Sequence, residues 1–321
     1  MNIKLPHLMG PEETAAIMHF IKLGLEEDLG QAGDMTSQAL VPATLQGTAR
    51  FVARKPGILA GLEAARTVLV DLVADGESSS WEPHCSDGTR LEPGQVIAHV
   101  SGCLLVLLAR ERLALNFIQR LSGVATLTRR YVDAIAGLPC RIYDTRKTTP
   151  GWRVLEKYAV RVGGGFNHRL GLYDAVLIKD NHVVAWRSQP GRGSLADAVR
   201  AARAAVPART VVELEVDSIA ELDEALAGEP DIVLLDNMSL DQLRQAVAIR
   251  NRLLPRLMLE ASGGITLEAV RKVAETGVDR ISIGALTHSA PALDIALDFE
   301  QPALAAGFGR SPEVFPEVRN G

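Results

Sequence analysis

The sequence predicts an α/β protein whose larger part is a closed or nearly closed parallel barrel. Three observations carry this. From about residue 139 onward, short apolar runs recur, each ending in a charged or small polar residue and each followed by a helical stretch. The helices carry start and stop signals: Ser218 with Glu221 and Ser239 with Gln242 match the capping box, and Thr266 opens a helix that Gly277 closes. The units repeat every 21 to 36 residues or so, about the length of one strand and one helix, and several in succession favour a barrel. A flat doubly wound sheet is the other architecture this rhythm allows.

The strand ends are where the polar residues collect. The run 141–145 leads into Arg146 and Lys147, and 175–178 leads into Lys179. Run 211–216 carries Glu213 and Glu215, and 231–235 ends at Asp236. Run 257–260 reaches Ser262-Gly263-Gly264, and 280–283 reaches Gly284. Barrels and doubly wound sheets both place their chemistry at these carboxyl ends.

Residues 1 to about 123 read differently, as an α+β region. A strand is expected over 48–53 and a helical stretch over 62–73, with turns at Ser86-Asp87-Gly88 and Glu92-Pro93-Gly94. A longer helix is expected over 104–121, carrying Arg110, Glu111, Arg112 and Asn116. The stretch after Phe299, with Gly307, Gly309, Pro312 and Pro316, reads as a loosely held extension.

Composition narrows the function. Of 321 residues 47% are hydrophobic, enough for a sizeable core. The 34 Lys and Arg against 39 Asp and Glu give a net charge of −5, so there is no global basic field for nucleic acid or a membrane surface. Any anion must be bound by a local cluster of cations. Cys85, Cys103 and Cys140 have no metal-ligand spacing and read as reduced thiols. With no secretory pattern and no apolar run longer than 103–109, a cytoplasmic protein is expected.

That cluster lies at 146–179: Arg146, Lys147, Arg153, His168, Arg169 and Lys179 flank strand ends and glycine-rich turns. Arg grips carboxylate or phosphate with two parallel bonds, and Lys adds a compact charge. Converging, they suit a small ligand with several negative charges; scattered, they would be ordinary surface charges. Gly163-Gly164-Gly165 would let a ligand come close or would form a flexible loop. Ser262-Gly263-Gly264 before a helix, with Gly284 after the next strand, suits a phosphate cradle, or a plain tight turn. Glu213 and Glu215 face one side of their strand, with Asp236 ending the next. They suit Mg²⁺ or a developing positive charge on a sugar, or equally an ion pair with Lys179 or Arg146. No nucleophile elbow, P-loop or dinucleotide fingerprint occurs, so positioning and charge stabilisation remain as the chemistry.

At these residues the chain resembles the quinolinate phosphoribosyltransferases. The resemblance runs from about Leu25 to Phe299. It is densest at Asp144-Thr145-Arg146-Lys147-Thr148-Thr149-Pro150-Gly151 and from Gly163 to His182, GGGFNHRLGLYDAVLIKDNH. Glu213-Leu214-Glu215, Leu235-Asp236-Asn237 and Ser262-Gly263-Gly264-Ile265 follow in order. It implies an open α/β (TIM-like) barrel with an N-terminal α/β sandwich domain. The expected division is 1–123 and 124–289, with 290–321 returning to the first domain. The implied reaction joins quinolinate to phosphoribosyl pyrophosphate, releasing pyrophosphate and carbon dioxide and giving nicotinate mononucleotide for NAD synthesis.

Residue by residue, the resemblance implies Arg146, Lys147, His168, Arg169 and Lys179 around the dicarboxylate, with Lys147, Glu215 and Asp236 catalytic. Glu215 and Asp236 would stand near the ribose and Mg²⁺, and Ser262, Gly263, Gly264 and Gly284 would cradle the 5′-phosphate. Arg112 would come from the neighbouring subunit of a homodimer that shares its active sites. The chain departs from the family pattern at Gln31-Ala32, at 187–194 and in its tail, none of them in the matched pocket. Three other readings are a relative using nicotinate or another base, a homologue that binds without turnover, and a barrel enzyme using Lys179 as a Schiff base. The full cation set argues against the first, intact Lys147, Glu215 and Asp236 against the second, and the lack of a carbonyl substrate against the third.

Overall fold

A computed structural model of the chain describes residues 9–72 and 79–300. It opens with helix α1 (Pro11–Leu29), with Pro11 at its first position and Glu12 and Glu13 in its positive first turn. Helix α2 (Met35–Leu40) is capped by Asp34, whose carboxylate accepts from the Ser37 N–H at 3.0 Å. Then come β1 (Gln46–Ala53), β2 (Gly57–Ile58), α3 (Leu62–Arg66), β3 (Ser80–Pro83), β4 (Arg90–Leu91), β5 (Val96–Cys103) and α4 (Leu104–Ala134). The helix expected over 62–73 is α3 followed by a π-helical turn over Thr67–Asp71. Its last expected residue, Val73, lies outside the described residues.

The second part continues with β6 (Arg141–Tyr143), α5 (Arg153–Val162), β7 (Val176–Ile178), α6 (Asp180–Arg187), α7 (Leu195–Ala205), β8 (Val212–Val216), α8 (Ile219–Leu226) and β9 (Ile232–Asp236). It ends with α9 (Leu240–Leu253), β10 (Met258–Ser262), α10 (Val270–Ala274), β11 (Arg280–Ser282), α11 (Ala285–His288) and β12 (Ile295–Phe299). Strands β6 to β11 form one parallel sheet in the order β6-β11-β10-β9-β8-β7. From β7 to β11 each strand adds on the same side of the one before and β11 ends against β6, the order of a barrel rather than of a doubly wound sheet. The first strand sits beside the last, and the sheet opens between β6 and β7. Phe166 makes an isolated parallel bridge to Tyr143 on the β6 side of that opening. The result is an open barrel.

The N-terminal sheet is antiparallel, in the order β12-β1-β5-β3. The last described strand thus returns to pair with β1, Ala53 opposite Ile295. The extension expected after Phe299 lies, from residue 301, outside the described residues. Helix α4 packs on this sheet and also against β6 and α5, burying Leu107, Phe117, Ile118 and Leu121.

Helix α4 does not stop near residue 121. It runs on to Ala134, straight across the division expected at 123. Ser122-Gly123, just past the expected helix end, is a packing seam. Ser122 Oγ accepts from the Ala60 N–H at 2.9 Å and donates to its carbonyl at 3.1 Å. A Cβ on Gly123 would lie 2.1 Å from the Pro291 carbonyl oxygen and 3.0 Å from Ala292 Cα. The Gly123→Ala variant should lose about 1–3 kcal/mol of stability through this overpacking. Urea denaturation against the unsubstituted protein measures it.

Candidate active site

The carboxyl ends of the barrel strands surround a cavity of about 560 Å³. In-pointing residues lie two apart along each strand, as the pleat requires: Leu177 and Lys179, Leu234 and Asp236, Glu260 and Ser262. Arg146, Lys147, His168, Arg169, Lys179, Glu215, Asp236, Ser262, Gly263 and Gly264 all line it. Those cations come from three separate connections: the loop after β6, the loop after the Phe166 bridge, and the end of β7.

Two of the expected residues are not on the cavity wall. Gly284, at the start of α11, packs against the stem of Lys147; a Cβ there would stand 2.9 Å from Lys147 Cδ. Arg112 is exposed on α4. The cavity also has walls that sequence reading passed over, among them Thr145, Asn237, Glu260 and Ser282.

The cations at 146–179 divide into two jobs. Arg146 and Arg169 present guanidinium groups to the cavity, and the Nε of each is buried without a hydrogen-bond partner among the described residues. Burial and the nearby Arg146 charge pull the Arg169 guanidinium below its ordinary pKa, though arginine stays protonated. Two like charges held together on a partly buried cavity wall form a receptor for an anion. Arg153 and Lys157 instead hold the loops in place. Arg153 donates to Thr148 Oγ1 at 3.1 Å and to the Leu170 carbonyl at 3.1 Å.

Lys157 is 2% exposed and pairs with Asp144, which is fully buried. It also donates to the His168 carbonyl at 2.9 Å. Asp144 in turn accepts from the His168 N–H at 2.8 Å and from Asn167 Nδ2 at 2.7 Å. This pair ties the loop bearing His168 and Arg169 to the end of β6. Burial pushes Asp144 up and Lys157 down from their usual values, so desolvation opposes the charges more strongly than pairing favours them. A second buried acid, Glu156, does similar work for the loop after Lys147. Its carboxylate accepts from Thr149 N at 3.0 Å, Thr149 Oγ1 at 2.8 Å and Arg120 Nη2 at 2.6 Å.

The acidic side of the cavity is also resolved. Lys179 pairs with Glu215, the ion pair that was one reading of these residues. Glu213, two residues earlier, is 2% exposed and faces His168 Nε2 at 3.0 Å. Asp236 accepts from Asn237 Nδ2 at 2.7 Å.

The glycine runs have different causes. Gly163 and Gly165 are small because α4 is close: a Cβ on Gly163 would lie 2.6 Å from the Ala125 carbonyl oxygen, and one on Gly165 2.8 Å from Thr128 Cγ2. Gly263 does belong to the cavity wall. Its φ is +101°, and a Cβ there would meet Asn237 Oδ1 at 2.2 Å. The helix expected from Thr266 begins only at Val270, after a turn, so the Ser-Gly-Gly backbone shapes this wall rather than a helix end. Cys140 is buried, its thiol pushed up to about 12 by desolvation, which removes it as a nucleophile.

Comparison with known proteins agrees with this geometry. The family described as "Quinolinate phosphoribosyl transferase, C-terminal domain" matches residues 124–298. Its N-terminal counterpart matches residues 34–122. The chain belongs to the quinolinate phosphoribosyltransferase family. It is 48% identical over 287 residues to a carboxylating nicotinate-nucleotide pyrophosphorylase of Mycobacterium leprae, covering 89% of this chain and 98% of that protein. A probable enzyme of the same name from Bacillus subtilis is 43% identical over 85% of this chain and 89% of its own. The solved nicotinate-nucleotide pyrophosphorylase of Francisella tularensis superposes with a TM-score of 0.81 at 36% identity, covering 93% of this chain and all of that one.

The 167–170 loop carries His168 and Arg169 to the cavity wall. Asp144→Ala would leave Lys157 charged, buried and unpaired, and would free two donors from the loop. Stability should fall by about 3–5 kcal/mol, read from thermal or urea unfolding.

Proposed function

We propose that the chain transfers the phosphoribosyl group of phosphoribosyl pyrophosphate to quinolinate, with decarboxylation, in NAD biosynthesis. One observation carries the reading: cations from three connections line one cavity together with Glu215, Asp236 and the Ser262-Gly263-Gly264 turn. Quinolinate carries two adjacent carboxylates, and the paired guanidinium groups of Arg146 and Arg169 match a dianion. Lys179 and Lys147 add charge for the carboxylates and the pyrophosphate. The Gly263 and Gly264 backbone at the turn, beside the Ser262 hydroxyl, receives the 5′-phosphate. Gly284 contributes by letting Lys147 lie close.

The residues then act by charge and position. Bound in line, the pyridine nitrogen attacks the anomeric carbon as the bond to pyrophosphate breaks. Positive charge develops on the ribose ring, and the Glu215 and Asp236 carboxylates oppose it. Lys147 faces the departing pyrophosphate. The ring nitrogen, now a pyridinium, accepts the electron pair when the neighbouring carboxylate leaves as carbon dioxide. A proton replaces that carboxylate, and nicotinate mononucleotide results.

Glu215 and Asp236 end adjacent strands and offer oxygen donors only, the set Mg²⁺ takes alongside substrate phosphates. Mg²⁺ held there would neutralise charge on the pyrophosphate. We further propose a homodimer in which Arg112, exposed on α4 and away from its own cavity, completes the cavity of the second copy. The three free cysteines suit a reducing compartment such as the cytoplasm, and among the described residues no helix is long and apolar enough to cross a membrane.

The direct test supplies phosphoribosyl pyrophosphate and Mg²⁺ with quinolinate or nicotinate in parallel, following carbon dioxide and mononucleotide. Turnover is expected with quinolinate and should vanish with a chelator. Equal turnover of nicotinate would replace this reading with that of a mono-acid enzyme. Arg146→Ala and Lys179→Ala should each raise the quinolinate KM by about 10–100-fold, the loss of one charge-assisted contact. Unchanged quinolinate affinity in both would refute their placement.

A further inference from the structure

The proposed reaction leaves a buried group of charges under the cavity without a task. His168, Glu213, Glu260 and Arg280 meet there from the 167–170 loop, β8, β10 and β11. Glu260 is fully buried, and its Oε2 lies 2.6 Å from Arg280 Nε. The Arg280 guanidinium carbon sits 3.8 Å over the Tyr143 ring. Glu213 Oε2 is 3.0 Å from His168 Nε2, and Glu260 Oε1 is 3.6 Å from the same nitrogen.

The other ring nitrogen decides what His168 does. The Arg169 backbone N–H donates to His168 Nδ1 at 2.8 Å. An imidazole nitrogen that accepts a hydrogen bond carries no proton, so the neutral ring holds its proton on Nε2, which faces Glu213 Oε2 at 3.0 Å. Both nitrogens therefore face protein groups, Nδ1 the Arg169 N–H and Nε2 the Glu213 carboxylate. His168 offers the cavity only carbon and its ring face.

The same bonding argues against a metal here. The ligand atoms of His168, Glu213 and Glu260 lie within 4.8 Å of one another, a spacing that could hold a cation. A cation on Nε2 would need that nitrogen without its proton while Nδ1 still accepts from Arg169, which a neutral imidazole cannot provide.

We infer that His168 is a positioning residue that sets the backbone of Arg169, and that Glu213, backed by Glu260 and Arg280, holds its ring in that role. The inference rests on the dicarboxylate reading of the cavity. His168 is fixed four ways: through its ring at both nitrogens, through its N–H by Asp144 and through its carbonyl by Lys157. The next residue is Arg169, whose Nη1 donates to the Ala175 carbonyl at 2.8 Å. The guanidinium aimed at the substrate is thus anchored on both sides. Glu213 does not line the cavity, so any effect of its replacement on substrate binding must travel through His168.

The test compares Glu213→Ala, Glu213→Gln, His168→Ala and the double variant Glu213→Ala/His168→Ala, measuring kcat and the KM for each substrate. Glu213→Ala should raise the quinolinate KM by about tenfold or more, as loss of an orienting partner does, with the phosphoribosyl pyrophosphate KM held within about twofold. Glu213→Gln keeps an oxygen to accept from Nε2–H and should return to within about threefold of the unsubstituted enzyme. The double variant should be no worse than His168→Ala alone, because the two act as one unit. Additive losses, or no change in quinolinate KM for Glu213→Ala, would overturn the inference. If Glu213→Ala does not fold, Glu213→Gln decides: a large rise in its quinolinate KM overturns it as well.

A second readout needs no substrate. Nitrogen-15 NMR of the labelled enzyme, with the His168 signals assigned by their loss in His168→Ala, should show Nε2 protonated and Nδ1 bare. The opposite tautomer, or a doubly protonated ring at neutral pH, sinks the inference. Should the enzyme fail to turn over quinolinate while this tautomer is found, the substrate reading has failed and the positioning has not.

Discussion

The buried ion pair of Asp144 and Lys157 is the interaction from which the site is organised. It joins the end of β6 to α5 and pins the 167–170 loop at its N–H and carbonyl groups. Its charges pay heavily for desolvation, and pairing does not restore either group to its usual titration. An apolar pair would serve stability as well. It would not offer directed donors and acceptors for a loop that must place His168 and Arg169 at the open seam of the barrel.

The barrel supplies the other half of the arrangement. Six parallel strands bring their carboxyl ends into a ring, and side chains two apart on each strand face the same interior. An acidic protein can in this way host a local concentration of positive charge. The guanidinium groups of Arg146 and Arg169 repel one another, and buried nitrogens on each lack partners. The carboxylates Glu215 and Asp236 line the same cavity and bring negative charge into it. The cavity therefore brings cations and carboxylates together, with Lys179 paired to Glu215 where they meet, which suits a reaction that gathers an anionic base and creates a cationic sugar.

Much of this was legible in the residues. The strand rhythm from about residue 139 located the parallel strands of the barrel to within a residue or two, and the Ser218 and Ser239 caps begin α8 and α9. Ten of the twelve expected site residues line one cavity. Other signals misled because glycine and charge carry several meanings. Gly123 ends no helix; it lets α4 touch the 290–292 segment. Gly163 and Gly165 make room for α4 rather than for a ligand. Arg153 looked like a pocket cation and instead holds loop backbone, and Glu156 and Lys157, which would pass as the solvated face of an amphipathic helix, are buried. Glu260 had one signal available: it stands two residues before Ser262 on a strand, and so on the same face.

By itself the sequence determined the periodicities, hence the elements, the parallel barrel and the strand ends where polar residues gather. These depend on local spacing and on alternation along one strand, which any reader of the chain can count. Only the tertiary structure decided which charges face the ligand and which face each other. That choice depends on burial and on partners brought together from distant positions, as with Glu260 beside Arg280 and Asp144 beside Lys157. A charge in a sequence looks the same whether water or another charge will satisfy it.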